Sequence, residues 1–163
     1  MSTGAPVLQS GSVTPTHLTQ WATDGVIEDA GVEYANTLAL YRADVLGVNF
    51  NAANTDTEIP INLPAGFTRW RIHLVLVSGA SGSLSSATAG LFTAASGGGV
   101  AIVSNISMTI TTNAANTNNN MQAMTLNNQN TQCYNATVVY FRTGTAEGVA
   151  ATANVSVLYE PLP

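Results

Sequence analysis

Arg69 to Ser78 reads RWRIHLVLVS, and polar and apolar residues alternate along its first half. A period of two is the mark of a β-strand with one buried face. Trp70, Ile72, Leu74 and Leu76 share one face of such a strand. Arg69, Arg71, His73, Val75 and Val77 take the other, which turns apolar along its length. Similar short segments recur at residues 44–50, 57–63, 87–94, 100–103 (continuing over 107–112), 121–126, 134–143 and 151–159. Turn chemistry separates them: Pro64-Ala65-Gly66, Gly97-Gly98-Gly99, the polar tract NAANTNNN at 113–120, and residues 144–148. About eight strands at this spacing predict an all-β fold, an antiparallel β-sandwich with jelly-roll-like order.

The phases of these segments are explicit. Val48 and Phe50 share a face, as do Val155, Val157 and Tyr159. Ala136, Val138 and Tyr140 oppose Val139 and Phe141; Met121, Ala123 and Thr125 oppose Gln122, Met124 and Leu126. Pro161 and Pro163 are expected to stop the last strand.

Charge is scarce: 8% of the 163 residues, against a usual share of about 25%. The hydrophobic share of 45% is enough for a core, so the polar surface must be built from Asn, Thr, Ser and Gly. Such a surface can pack against neighbours without burying many charges. The basic residues are Arg42, Arg69, Arg71 and Arg142, there is no lysine, and the net charge is −5. Nucleic-acid binding needs a basic stripe, and this chain has none. No lysine means no P-loop and no Schiff-base chemistry. No run approaches about 20 apolar residues, so no membrane span is expected. The start, MSTGAPVLQSGS, has neither basic flank nor apolar run, so no secretory signal is expected and synthesis is assigned to a cytosol.

Catalytic and metal chemistry are poorly supplied. Asp24, Glu28, Asp29 and Glu33 are irregularly spaced and lack a cation-loop pattern, so they read as a solvated or Arg-paired acidic patch. His17 and His73 are the only histidines, and Gly79-Ala80-Ser81-Gly82 falls short of a nucleophile elbow. Beyond residue 44 the acids are Asp56, Glu58, Glu147 and Glu160, expected in turns or at the terminus rather than paired in a cleft. Cys133, the lone cysteine, is expected as a small buried residue. The acceptor patterns at Asn105, Asn135 and Asn154 read as chance in an Asn/Thr-rich chain. No cofactor and no metal are expected. Arg69, Arg71 and Arg142 lie on strands. One reading pairs them with nearby acids such as Asp56, Glu58 or Glu147. The other places them in ion pairs across a subunit interface, where a bidentate guanidinium suits burial.

The front of the chain differs. Composition shifts near residue 44, giving an arm at 1–43 and a sandwich domain at 44–163. In GSVTPTHLTQWATDGVIEDAG, residues 11–31, Pro15 and Asp24-Gly25 cut the sequence into short extended pieces. Val13, His17, Leu18, Trp21, Val26 and Ile27 are too widely spaced to fold alone, so they are assigned to contact with another surface.

That segment, with Val13-Thr14-Pro15, His17-Leu18, Trp21, residues 23–27 (TDGVI) and Asp29-Ala30-Gly31, resembles the start of small virion proteins of tailed bacteriophages. The stretches LPAGFTRWRIHLVLVSGASGSLSSATAGLFTAASGGG (63–99) and VYFRTGTAEGVAATANVSVLYEPLP (139–163) are similar in character to the same head-decoration and head-fibre class. The resemblance implies a non-enzymatic β-sandwich that forms a homotrimer. It would dock on the major capsid protein or other virion proteins through its N-terminal arm, in a virion assembled in the host cytoplasm. A tail or baseplate protein with a receptor-facing sandwich is the alternative it leaves open.

Overall fold

The strands pair as a long hairpin folded back on itself. The computed structural model describes residues 17–21, 27–33, 40–111, 120–127 and 132–162. Its elements are β1 (His17–Trp21), β2 (Ile27–Glu33), β3 (Tyr41–Asn49), β4 (Thr55–Pro60), β5 (Arg69–Ser78), β6 (Thr88–Ala94), β7 (Gly98–Ser107), β8 (Met121–Ala123), β9 (Val138–Thr145) and β10 (Thr152–Leu162). Strands β3 to β6 run out, and β7 to β10 return along them. β6 pairs with β7, β5 with β8, β4 with β9 and β3 with β10, all antiparallel. Rolling this hairpin sends its strands to two sheets, ordered β3-β10-β5-β8 and β4-β9-β6-β7. That is the strand order of an eight-stranded jelly roll. Among the described residues there is no α-helix, only a 3-10 turn at Ala95–Gly97 that joins β6 to β7.

The inner faces of the two sheets form the core, and aromatic residues hold both ends. Trp70 packs at 4.9 Å from Tyr134 and edge-on at 5.8 Å from Tyr159, which in turn lies 5.9 Å from Tyr41. Elsewhere Phe50 and Phe141 meet edge to face at 5.8 Å. Buried polar tips need partners. The Trp70 indole donates to the Ala136 carbonyl at 2.8 Å, and the Tyr159 hydroxyl donates to the Asn62 carbonyl at 2.8 Å.

Strand β10 keeps strict phase: Ala153, Val155, Val157 and Tyr159 are all buried. Its neighbours do not. β5 buries Trp70 and Ile72, then Val75 and Val77, while Leu74 and Leu76 are half-buried on the outer side. This corrects the single-face expectation for Trp70, Ile72, Leu74 and Leu76. The register steps between Leu158↔Leu74 and Tyr159↔Ile72, leaving His73 as the extra residue of a β-bulge. One inserted residue exchanges the two faces of everything beyond it. β3 does the same: Val45 faces Val155 and Val48 faces Ala153, so Leu46 and Gly47 span the place of Asn154. Gly47 adopts φ +67°, and its N–H donates to Asn154 Oδ1 at 3.0 Å.

Several boundaries move for related reasons. β3 begins at Tyr41, because Tyr41, Ala43 and Val45 already pack on the core. The stretch expected as one strand over 134–143 is split. Tyr134 bridges Trp70 in the first sheet, whereas β9 starts at Val138 in the second. β10 runs through Pro161 to Leu162 rather than ending before it. Its pairing with β3 stops at Tyr159↔Tyr41, so Pro161 pairs with β5 alone, and a missing N–H is tolerated at such an edge. The strand at 100–103 reaches from Gly98 to Ser107, and Met108 and Ile110 continue as buried, irregular chain hydrogen-bonded to Ala87 and Leu84. Pro163, Thr112 and residues 113–119 lie outside the described residues.

The chain divides into two compact units, residues 1–39 and 40–163. In the first, β1 and β2 form an antiparallel ribbon with Trp21 opposite Ile27, Gln20 opposite Glu28 and His17 opposite Glu33.

Two glycines separate steric from conformational need. A Cβ on Gly90 would sit 2.8 Å from the Val103 carbonyl oxygen, from Asn105 Oδ1 and from Phe92 Cε2. Gly47 has nothing within 4 Å but a left-handed φ. Gly90→Ala is expected to cost about 1–3 kcal/mol by overpacking. Gly47→Ala is expected to cost about 1–2 kcal/mol in backbone strain, and Gly47→Asn less. Urea unfolding midpoints check both, and equal losses for Gly47→Ala and Gly47→Asn would refute the strain argument.

Candidate functional site

The outer face of β3-β10-β5-β8 gathers Arg42, Asp44, Arg69, Arg71, His73 and Glu160. Register sets Glu160 of β10 directly opposite Arg71 of β5. Strand alternation sets His73 on the same side. Glu160 Oε2 accepts from Arg71 Nη2 at 2.6 Å and meets His73 Nε2 at 2.9 Å. The carboxylate is mostly covered, with a side chain 11% exposed, while Arg71 and His73 are about a third exposed. Hydrogen bonds from His73 and Arg71 hold the Glu160 carboxyl below its usual range, against the opposing effect of burial. Among the described residues, Arg71 Nε is the one buried side-chain polar atom without a partner.

A second cluster lies beside it. Arg42 Nε donates to Asp44 Oδ1 at 2.7 Å, and Arg42 Nη2 donates to the buried Ser156 hydroxyl at 3.0 Å. Burial would raise the Asp44 carboxyl, but hydrogen bonds from Ser156 and Arg42, with the Arg42 charge, carry it below its ordinary value. Ser156 and His73 therefore belong to separate clusters. A hydroxyl nucleophile needs its base within hydrogen-bond reach, and here each is joined to a carboxylate and an arginine instead.

On the opposite sheet Arg142 spans β9 and β4. Its Nη1 donates to Asp56 Oδ1 at 3.0 Å and its Nη2 to Asn54 Oδ1 at 3.0 Å, while Asp56 Oδ2 accepts from the Ser96 N–H at 2.7 Å. Glu147 acts as an acceptor for a turn: its Oε2 takes the N–H groups of Ser86 and Ala87 at 2.8 and 3.0 Å. Asp56, Glu147 and Glu160 are thus ties between distant segments.

The sequence-assigned residues fall as follows. Arg71 and Arg142 each have a carboxylate within their own chain, Arg142 with Asp56 as the local reading has it. Arg69 is exposed at the start of β5. His17, Leu18 and Trp21 lie in β1 and Ile27 opens β2, whereas Val13 and Val26 lie outside the described residues. Glu28, Asp29 and Glu33 are on β2; Asp24 lies outside. Cys133 is exposed, not buried: neighbouring Tyr134 turns into the core and alternation sends Cys133 outward. Asn105 packs across Gly90 and Gly144, and Asn154 caps the β3 bulge, so two of the three acceptor patterns carry structural side chains. Among the described residues no three His, Cys, Asp or Glu side chains converge to hold a metal. Sequence reading missed Glu160 as the centre of a cluster. The phase of Val155, Val157 and Tyr159 put it on the outer face, but nothing local paired β10 with β5.

The chain matches no known protein family, no curated protein and no solved structure.

The Glu160 cluster gives a pH prediction. A carboxyl whose folded pKa is depressed adds stability that is present above the unfolded value of about 4.3 and is lost as pH falls through the lower folded value. Glu160→Gln is expected to lose about 1–3 kcal/mol at neutral pH and to flatten the fall in stability below about pH 4.5. Denaturation at pH 7 and pH 3 checks it. An unchanged slope in Glu160→Gln would show that other carboxylates set the acid limit.

Proposed function

We propose that this chain is a non-enzymatic structural protein of a tailed-phage virion. It acts as a capsid decoration protein of the cement or head-fibre kind. It docks on the capsid through its N-terminal segment and associates with further copies, as a homotrimer, through its sandwich.

The strand order β3-β10-β5-β8 over β4-β9-β6-β7 carries this reading. Jelly rolls serve viral capsid and lectin domains among others, and a fold by itself does not fix a function. Three further features agree with an assembly role. The N-terminal sequence resembles the leading segment of such virion proteins. The chain divides into two compact units, and β1 and β2 belong to the first. Asp56, Glu147 and Glu160 hold strands and turns together, which leaves them occupied as ties.

Two measurements test the proposal. In images of virions assembled from the genome that encodes this chain, labelled copies should repeat across the capsid; copies confined to the tail would replace this reading with a tail or baseplate role. A fragment of residues 40–163 should keep its sheet signal and its melting transition while losing attachment to particles. A fragment that still attaches would remove the N-terminal unit as the anchor.

A further inference from the structure

We infer that the edge strand β3 is a docking surface for β3 of a second copy of this chain, the two strands pairing antiparallel about a two-fold axis that passes through Ala43 perpendicular to the sheet. The inference goes beyond the trimer proposed above. A two-fold contact uses one patch twice, whereas closing a ring of three joins two different patches. The two contacts are independent.

A sheet edge is a template for another strand unless something blunts it. The two sheets have four edge strands, β3, β8, β4 and β7. β8 spans only three residues. β7 has part of its backbone engaged from outside its sheet: the Ala101 carbonyl accepts from Asn127 Nδ2 at 2.9 Å, the Ile102 carbonyl from the Asn127 N–H at 2.9 Å, and the Ser107 carbonyl from Gln122 Nε2 at 3.2 Å. β4 ends on Pro60 and carries acids without a base, so two β4 strands paired about Thr57 would set Asp56 against Glu58. β3 runs for nine residues, and among the described strands it pairs with β10 alone. Its bulge lies at Leu46-Gly47, beyond the stretch that the contact uses most.

The sequence LYRADVL at 40–46 is complementary to its own reverse. Antiparallel pairing centred on Ala43 sets Leu40 opposite Leu46, Tyr41 opposite Val45 and Arg42 opposite Asp44, each pair occurring twice. Alternation places Leu40, Arg42, Asp44 and Leu46 on the exposed side and leaves Tyr41, Ala43 and Val45 half-buried against the core. Leu40 and Leu46 are 55% and 76% exposed, and in the pair each covers the other. Tyr41 and Val45 form an aromatic–β-branched pair of the kind that stabilises sheets.

Charge selects this register. Arg42 keeps its own partners, Asp44 at 2.7 Å and Ser156 at 3.0 Å. The Arg42–Asp44 pair is exposed, and its reversed copy lies alongside it, so each carboxylate gains a second guanidinium and no existing bond has to break. Centring the pairing on Arg42 or on Asp44 would instead set each of those charges against its own copy, and like charges directly opposite destabilise a sheet.

Sedimentation velocity of the full chain tests the inference. The wild type should give an even-numbered species: a dimer, or a hexamer where the trimer forms as well. Arg42→Asp and Asp44→Arg each set like charges across the axis twice, and each should weaken this association by about tenfold or more. An equal mixture of the two variants should associate again, because one copy then offers only acids at 42 and 44 and the other only arginines. Leu46→Asp, at an exposed position, should weaken association with an unchanged melting transition. A wild type that is monomeric or only trimeric overturns the inference. So does a mixture that associates no better than either variant by itself. Where a charge variant melts below the wild type, Leu46→Asp decides, and an even-numbered species that survives it overturns the inference.

Discussion

The arrangement of the first sheet depends on the strict alternation of β10. It is the one strand with a neighbour on either side over most of its length, β3 and β5. Its inward residues, Ala153, Val155, Val157 and Tyr159, form an unbroken row in the core. A strand so placed cannot slip by one residue without exchanging its buried and exposed sets. The adjustment falls on its neighbours instead. β5 inserts His73 and β3 inserts a residue at Leu46-Gly47, and each bulge brings the following apolar pair back into the core. The same two bulges dress the outer face. They set Gly47, Leu74 and Leu76 on the outer side, beside Leu46 and His73, which alternation already places there.

This explains which parts of the fold were legible in the sequence. Strand segments, their approximate number and the antiparallel sandwich follow from period and turn chemistry, which are local. The phases of Val48 with Phe50, of Val155 with Tyr159, and of Met124 with Leu126 also held, because no bulge interrupts them. The phase of RWRIHLVLVS failed halfway. A bulge belongs to a pair of strands, not to one, so the composition of β5 alone cannot place it. The apolar residues on both faces beyond His73 were the local trace of it. They signalled that one set was displaced outward, without saying which.

The ionic clusters were legible to a lesser degree for a similar reason. Arg71 and Glu160 are far apart in sequence, and only the pairing of β10 with β5 brings them face to face. Arg142 and Asp56 meet through the pairing of β9 with β4 in the same way. The scarcity of charge was the readable part. With few carboxylates available, those that serve as ties are not free for other work. Glu147 takes the backbone N–H groups of a turn, and Asp56 takes one such N–H together with Arg142.

That economy bears on why the face of the first sheet is unusual. A chain this poor in charge builds its polar surface from Asn, Ser, Thr and Gly, which suit loops and bulges better than the middle of a sheet. Sheet centres favour β-branched and large apolar side chains on either face. A sandwich with two outer faces then has to cover them in one of three ways: with charge, with a second layer, or with a neighbour. On the first sheet's outer face, Arg42 is paired with Asp44 and Arg71 with Glu160. Ion pairs of this kind add little stability at an exposed surface but gain strength when water is excluded. The Arg71–Glu160 pair is the exception, because its carboxylate is mostly covered and ties β10 to β5. It adds a polar tie to a sandwich whose fold is fixed by the aromatic ends of its core and the unbroken row of β10.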